Sequence, residues 1–128
     1  MPATTFPEYV QSLTNILDTI VATGEAVLMS LQVDQRSVVR GLIAGALQFD
    51  DGCMLHFREF VDVTQTEPKI MYAYHYQAAD NSLIFRYDNA AHRPALPQPE
   101  HKHTRSAIEL GRAPTLTEVL DEILRQTY

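Results

Sequence analysis

The sequence predicts an α+β domain in which a five-stranded antiparallel meander lies between an N-terminal and a C-terminal helix. Apolar residues recur at helical spacing near both ends of the 128-residue chain, and they alternate with polar residues through its middle. Short turn-forming stretches separate the alternating segments, which favours strands that pair with their neighbours in sequence. A His/Pro-rich loop follows the strands. Residues 1–128 are therefore expected to form a single domain around one core.

Two amphipathic helices are predicted, one near each end. The first spans residues 6–21 and Gly24 ends it, whereas the second begins at Thr115, where Glu118 completes a capping box. Each has one apolar stripe, so both are expected to cover one face of the sheet. The stripes consist of Phe6, Tyr9, Val10, Leu13, Leu17, Ile20 and Val21 in the first helix and of Leu116, Val119, Leu120, Ile123 and Leu124 in the second.

Alternation over residues 25–33 predicts a first strand, and a hairpin of residues 38–49 and 53–64 follows it. Gly52 suits the left-handed position of a three-residue turn between them. The resulting register leaves one face of the hairpin mostly apolar. Glu59 falls on that apolar face, which places it either near the end of the sheet or in a functional position.

A second hairpin is predicted from residues 69–77 and 82–89. A loop of two or four residues opposes His75 to Arg86 and puts Asp88 on the same face. An odd-length loop would break this pairing, because a shift of one residue moves a side chain to the other face. The proximity of the three side chains therefore depends on the register.

Residues 90–104 are predicted to form a loop, since Pro94, Pro97 and Pro99 are incompatible with both ladder pairing and a helix. A loop of this length in a small domain suggests a function. A short edge strand over residues 106–110 could follow it.

The composition excludes several classes of protein. A net charge of −6 argues against a protein that coats nucleic acid through its whole surface. The single cysteine, Cys53, excludes an internal disulfide framework and a multi-cysteine zinc site. No apolar run approaches the roughly 18 residues that a membrane span needs, and the N-terminus does not have the pattern of a signal peptide. A cytoplasmic protein without membrane association is expected.

The charge is unevenly distributed, because basic residues outnumber acidic ones between Leu83 and Arg112. The basic residues are Arg86, Arg93, Lys102, Arg105 and Arg112, and the acidic ones are Asp88, Glu100 and Glu109. Such a segment could bind a phosphate or a short RNA, or it could be a solvated loop.

The side chains of His75, Arg86 and Asp88 form the first candidate site. A carboxylate can orient a histidine, and an arginine can bind a phosphate with two hydrogen bonds or stabilise developing negative charge. These groups would suffice for acid–base chemistry on a phosphodiester. The alternative is an Arg–Asp ion pair on an exposed sheet face with His75 as a neighbour.

The segment His101-Lys102-His103 has three interpretations. If it is extended, both imidazoles lie on one side, and with His75 and Asp88 they could bind a divalent metal. Without a metal, the imidazoles could act as acid and base while Lys102 binds a phosphate. The segment could also be a basic loop without chemistry. The metal-free interpretation is preferred because Lys102 would repel a cation, so no cofactor is expected.

Exposed tyrosines could stack on nucleic-acid bases, and the candidates are Tyr72, Tyr74, Tyr76 and Tyr87. Their predicted face is the apolar one, which favours packing in the core. Tyr87 and Arg58 remain candidates for substrate binding.

An ordered set of motifs carries a family resemblance. The motifs are Phe49-Asp50-Asp51-Gly52, Tyr74-His75-Tyr76, Phe85-Arg86-Tyr87-Asp88-Asn89 and His101-Lys102-His103, followed by a short Leu-Thr-Glu-Val-Leu helix. From about Gly41 to Ile123 the chain resembles the TumE family, small bacterial proteins classed as toxin components of TumA/TumE-type toxin–antitoxin pairs. The resemblance implies a cytoplasmic toxin with an adjacent antitoxin as its partner. The positions that match the family motifs are His75, Arg86, Asp88, His101 and His103.

Three hypotheses of function follow. The first is the toxin of a type II pair that cleaves RNA as a metal-independent endoribonuclease, with His75 or His103 as base or acid, Arg86 and Lys102 on the phosphate, and Asp88 as an orienting group. The second is a divalent-metal site built from Asp88 and the histidines. The third is a non-enzymatic module that binds a partner or inhibits by occlusion. A dimer is compatible with all three.

Overall fold

The computed structural model describes residues 3–89, 101–104, 108–110 and 113–127. Its elements are, in chain order, α1 Phe6–Ala22, β1 Ala26–Gln35, β2 Arg40–Phe49, β3 Met54–Asp62, β4 Lys69–Gln77, β5 Leu83–Asp88, β6 His101–Thr104, β7 Ile108–Leu110 and α2 Leu116–Thr127. The α+β class, the two terminal helices and the antiparallel meander are confirmed.

In the part of the chain that the structure describes, the sheet has seven strands in sequence order, from β1 to β7, and each strand pairs antiparallel with the next. The first five are the predicted ones. The strand β6 falls in the segment predicted as a loop, and that prediction is wrong for residues 101–104. All three prolines of the segment precede residue 101, so every residue of β6 keeps the N–H that a ladder requires.

Local sequence determines where both helices begin. The Thr5 hydroxyl accepts a hydrogen bond of 3.2 Å from the backbone N–H of Glu8 at the start of α1. At the start of α2 the Thr115 hydroxyl accepts from the N–H of Glu118, and the Glu118 carboxylate accepts from the N–H of Thr115, each at 3.1 Å. This reciprocal pair is the predicted capping box, and it satisfies two donors that the first turn leaves free.

The first strand departs from the predicted alternation at one residue. The register of β1 and β2 shifts between Leu28 and Ser30, so Met29 is an extra residue in a β-bulge. A bulge reverses which side chains point to each face. Leu31 consequently packs against the core, whereas Val27 and Met29 are exposed.

The second hairpin has the predicted register although its loop has an odd length. His75 is opposite Arg86, and Ala73 is opposite Asp88. The N–H of Ala78 bonds to the carbonyl of Ser82, which closes a three-residue loop. A register shift at Tyr76–Gln77 compensates for the odd length. The expectation that an odd loop would separate the side chains was therefore wrong.

Both helices pack on the same face of the sheet, which we call the covered face. Phe6 of α1 lies directly over Gly41 of β2, and Glu122 of α2 accepts a 2.6 Å hydrogen bond from Tyr87 of β5. The core between them includes Leu17, Ile43, Leu47, Leu55, Phe57, Tyr72, Tyr74, Tyr76, Phe85, Val119 and Ile123. The opposite side, which we call the open face, has neither of the two described helices on it.

Among the described residues, neither helix is both long enough and apolar enough to cross a membrane.

Candidate functional site

Two rows of residues cross the open face at its centre. In the first row the register places His56 opposite His75, and His75 opposite Arg86. The neighbouring position on β6 is His103. Since opposed residues of an antiparallel pair lie within about 5.5 Å of each other, the backbone brings four basic or titratable positions into one line.

The second row runs beside the first, two residues further along each strand. It contains Arg58 of β3, Ala73 of β4 and Asp88 of β5, and the next position, on β6, is His101. The two rows together form what we call the open-face cluster: His56, Arg58, His75, Arg86 and Asp88.

A shallow cavity of about 450 Å³ lies over the cluster. Ala44 and Ala73 line it, and their methyl groups leave room between the long side chains of Arg58 and Arg86. The sequence predicted the charged residues but not this space. A cavity formed in this way can admit a small anionic group between two guanidinium groups.

Asp88 holds Arg86 in place. The Arg86 Nε donates a 2.6 Å hydrogen bond to Asp88 Oδ2, and the carboxylate is almost completely buried, with 6% of its side chain exposed. The Arg86 side chain keeps 34% of its surface exposed. Asp88 binds Arg86 at Nε, and Arg86 also lines the cavity, so a terminal nitrogen of its guanidinium can bind a second anion there.

His75 is a neutral imidazole with a defined tautomer. Arg86 Nη1 lies 3.3 Å from His75 Nδ1, and His75 Nε2 lies 3.1 Å from the Oε1 of Gln77. A guanidinium only donates, so Nδ1 is the acceptor, and Nε2 carries the proton that it donates to Gln77. Burial, and then the charge of Arg86, lower the pKa of His75 below its ordinary value. The imidazole is therefore unprotonated at neutral pH, with its lone pair directed at Arg86.

His56 is a member of the cluster that the sequence analysis did not single out. It lies on β3, which has β2 and β4 as neighbours and is therefore inside the sheet. Its ring centre is 6.4 Å from that of His75. A prediction of the register between β3 and β4 would have identified His56 as part of the site, because this register makes it the direct neighbour of His75.

The other residues predicted for the site either lie outside the open-face cluster or have only their backbone described. The structure does not bring Tyr87 into the cluster, because its hydroxyl donates to Glu122 on the covered face. The backbone positions of His101, Lys102 and His103 lie opposite Asp88, Tyr87 and Arg86 respectively. Their side chains are outside what the structure describes, so their roles stay predictions. His92, Arg93 and the three prolines before His101 also lie outside the described residues.

A second polar cluster lies on the covered face, and it explains why Glu59 is on the apolar side of the sheet. The Glu59 side chain is fully buried, and it accepts hydrogen bonds from Tyr9 of α1 and from Tyr74 of β4, the latter at 2.5 Å. The Lys69 ammonium donates to the Tyr74 hydroxyl at 2.8 Å and to the carbonyl of Pro114, just before α2. This network therefore connects both helices to the centre of the sheet.

Electrostatics in this network follow from burial. Desolvation, and then the charge of Glu59, raise the pKa of Tyr9 and of Tyr74, so both hydroxyls remain donors. Desolvation lowers the pKa of Lys69, while Glu59 and two further carboxylates oppose that shift. A cavity of about 660 Å³ lies beside the network. The side chains of the network are hydrogen-bonded to one another and to the backbone of Pro114, so we assign the network to stability.

In the described ranges, no group of three His, Cys, Asp or Glu side chains is arranged to hold a metal ion. The proposed metal ligands His101 and His103 are not among the side chains that the structure describes, so the metal alternative stays a prediction.

Comparison with known proteins agrees with the motifs and the fold. The family model described as Toxin TumE matches residues 4–127, nearly the whole chain. The chain belongs to the TumE toxin family. It is accordingly a toxin of a toxin–antitoxin system, which suggests an antitoxin as its partner. Neither the curated proteins nor the solved structures contain a match to it.

Proposed function

We propose that this TumE-family toxin cleaves RNA as a metal-independent endoribonuclease at the open-face cluster. The observation that carries the proposal is the fixed guanidinium of Arg86, which Asp88 holds in a cavity between imidazole positions. Metal-independent cleavage of a phosphodiester uses this combination. A cation stabilises the charge on the non-bridging oxygens, and a base and an acid on the two sides of the phosphate transfer protons.

The geometry favours His75 as the general base. A base has to be unprotonated at neutral pH, and the pKa of His75 is lowered. Its Nδ1 lone pair meets Arg86 at 3.3 Å, which is longer than a strong hydrogen bond. A phosphate that binds Arg86 can displace this contact and leave Nδ1 facing the substrate.

The reaction would proceed by attack of a ribose 2′-oxygen on the adjacent phosphorus. His75 takes the proton of the 2′-hydroxyl, and the oxygen–phosphorus bond forms as the bond to the 5′-oxygen breaks. The leaving 5′-oxygen takes a proton from an acid, for which His103 is the candidate because its strand position is on the other side of Arg86. Arg58 would bind a flanking phosphate. Lys102 is not given this role, because its strand position lies opposite Tyr87 and between the positions of His101 and His103.

Another arginine–aspartate pair of the sheet provides a matched test. Arg40 Nε bonds to Asp62 at 2.8 Å, as Arg86 does to Asp88, but Arg40 is about 13 Å along the strand from the cavity residue Ala44. We expect Arg86→Lys to reduce RNA cleavage about 100-fold, the scale for loss of one transition-state donor. Arg40→Lys should cleave like the wild type, because its pair has the same chemistry without the cavity.

The assay uses purified protein, a short RNA and EDTA, and it includes His75→Ala and His103→Ala. The proposal expects EDTA to have no effect and both alanine variants to lose cleavage. Equal cleavage by all variants, or none by the wild type, would refute it. Cleavage that EDTA abolishes would favour the divalent-metal alternative, and toxicity that survives every substitution would favour occlusion of a partner.

We also propose that the protein acts in the cytoplasm, where RNA is available. The buried free thiol of Cys53 supports a reducing compartment. Fractionation of cells that produce the toxin with its antitoxin tests this location.

A further inference from the structure

We propose that β1 pairs with β1 of a second copy of this chain, so that two sheets join into one across a twofold axis. The proposal concerns assembly and does not require that the protein cleave RNA. It arises from an edge strand that is almost uncharged and keeps one register with β2 over residues 30–35, which we call the straight segment.

The edge of β1 is open to a further strand. Among the described residues β1 pairs only with β2, and it is the first strand of the sheet. Natural edge strands are usually protected by lysines, prolines or bulges. Residues 30–35 have no lysine and no proline, and Val33 leaves 46% of its surface exposed. Such an edge is a template for a partner strand.

The hydrogen-bond pattern shows which backbone groups point outward. The N–H of Arg36 donates to the carbonyl of Arg40, so position 36 is bonded to β2. Bonded and non-bonded residues alternate in an antiparallel pair. Positions 32 and 34 therefore also face β2, and the N–H and C=O groups of Leu31, Val33 and Gln35 point away from the sheet.

The limits of the straight segment determine the centre of the pairing. The bulge at Met29 ends it on one side, and the turn after Arg36 ends it on the other. A symmetric antiparallel ladder over positions 30–36 is centred on Val33, which is one of the outward-facing residues. Centring on Asp34 would oppose two carboxylates, which is unfavourable. Centring on residue 32 would carry the ladder into the bulge.

The chosen register is chemically complementary to itself, which is why a second copy is the proposed occupant. It opposes Val33 to the partner's Val33 on the covered side. On the open side it opposes Asp34 to the partner's Gln32, and Ser30 to the partner's Arg36. No position faces a like charge, and two carboxylate–amide pairs form by symmetry, as expected for an isologous contact.

The second copy would also extend the open face. Ser30 and Gln32 line the cavity over the open-face cluster. In the proposed pairing the partner's Arg36 lies opposite Ser30, so each copy adds a guanidinium at the margin of the other copy's cavity. The contact is only seven residues long on each chain, so we expect a dimer that dissociates on dilution.

Substitutions at Val33 test the pairing because this residue would meet its own copy. Val33→Lys and Val33→Glu should each give a monomer by light scattering over a dilution series, since like charges meet at the axis. An equimolar mixture of the two should restore a dimer that contains one copy of each. Val27→Lys is the matched control: Val27 is 61% exposed on the same strand but lies before the bulge, so this variant should remain dimeric.

Val33→Pro provides a backbone test, with thermal unfolding as the check that the domain is intact. Proline removes an outward N–H that β2 does not use, so the fold should persist while the dimer is lost. A wild-type monomer at all concentrations would overturn the proposal, as would a dimer that survives Val33→Lys. If the wild type is a monomer and Val33→Pro abolishes antitoxin binding, the antitoxin occupies this edge instead.

Discussion

The hydroxyls of Tyr9 and Tyr74 should stabilise the fold to different and measurable extents. Both donate to the buried carboxylate of Glu59, but only Tyr74 also accepts a hydrogen bond from Lys69. Replacing either by phenylalanine removes one hydroxyl and leaves the ring in place. The comparison therefore isolates hydrogen bonds from packing.

The magnitudes follow from these partners. A hydrogen bond to a charged group contributes roughly 1.5–3 kcal/mol, so Tyr9→Phe should lower the free energy of unfolding by about 2 kcal/mol. Tyr74→Phe should cost about 3 kcal/mol, because it also deprives the Lys69 ammonium of an acceptor in a buried site. At roughly 4 °C for each kcal/mol in a domain of this size, the melting temperatures should fall by about 8 °C and about 12 °C.

Thermal and urea unfolding of the three proteins measures the difference, and Tyr76→Phe is the control. Tyr76 is as buried as Tyr74, but its hydroxyl partner is the Cys53 thiol, a weak acceptor. We expect Tyr76→Phe to cost less than about 1 kcal/mol. Costs below about 0.5 kcal/mol for both Tyr9→Phe and Tyr74→Phe would refute the assignment of the Glu59 network to stability.

Two further predictions concern packing and pH. Gly41→Ala should destabilise the domain by roughly 1–3 kcal/mol in urea unfolding, because an added Cβ would overlap the ring of Phe6. The double variant with Phe6→Leu should lose less free energy of unfolding than the sum of the two single variants. Strictly additive losses would contradict this contact. The folded protein has a His75 pKa below the ordinary value of 6.5, so the unfolded chain binds that proton more readily, and stability should fall as the pH decreases below about 6.5. His75→Gln should reduce this acid-induced loss in thermal melts, and an unchanged pH profile would show that another group causes it.

Local patterns in the sequence were sufficient for the helices and for most of the register. The capping box at Thr115, the left-handed Gly52 and the opposition of His75 to Arg86 all depend on residues close in sequence, and all are observed. The bulge at Met29 could not be predicted in this way, because it depends on how β1 fits against β2.

The sequence alone determined the fold class, the family motifs and the presence of His75, Arg86 and Asp88 on one face, because the alternation along each strand decides which face a side chain occupies. The tertiary structure decided the rest. It placed His56 beside His75, fixed Arg86 through a buried carboxylate, and surrounded Glu59 with hydroxyls from α1 and β4. Burial and distances between separate strands depend on the packing of the entire sheet, which no local pattern of residues records.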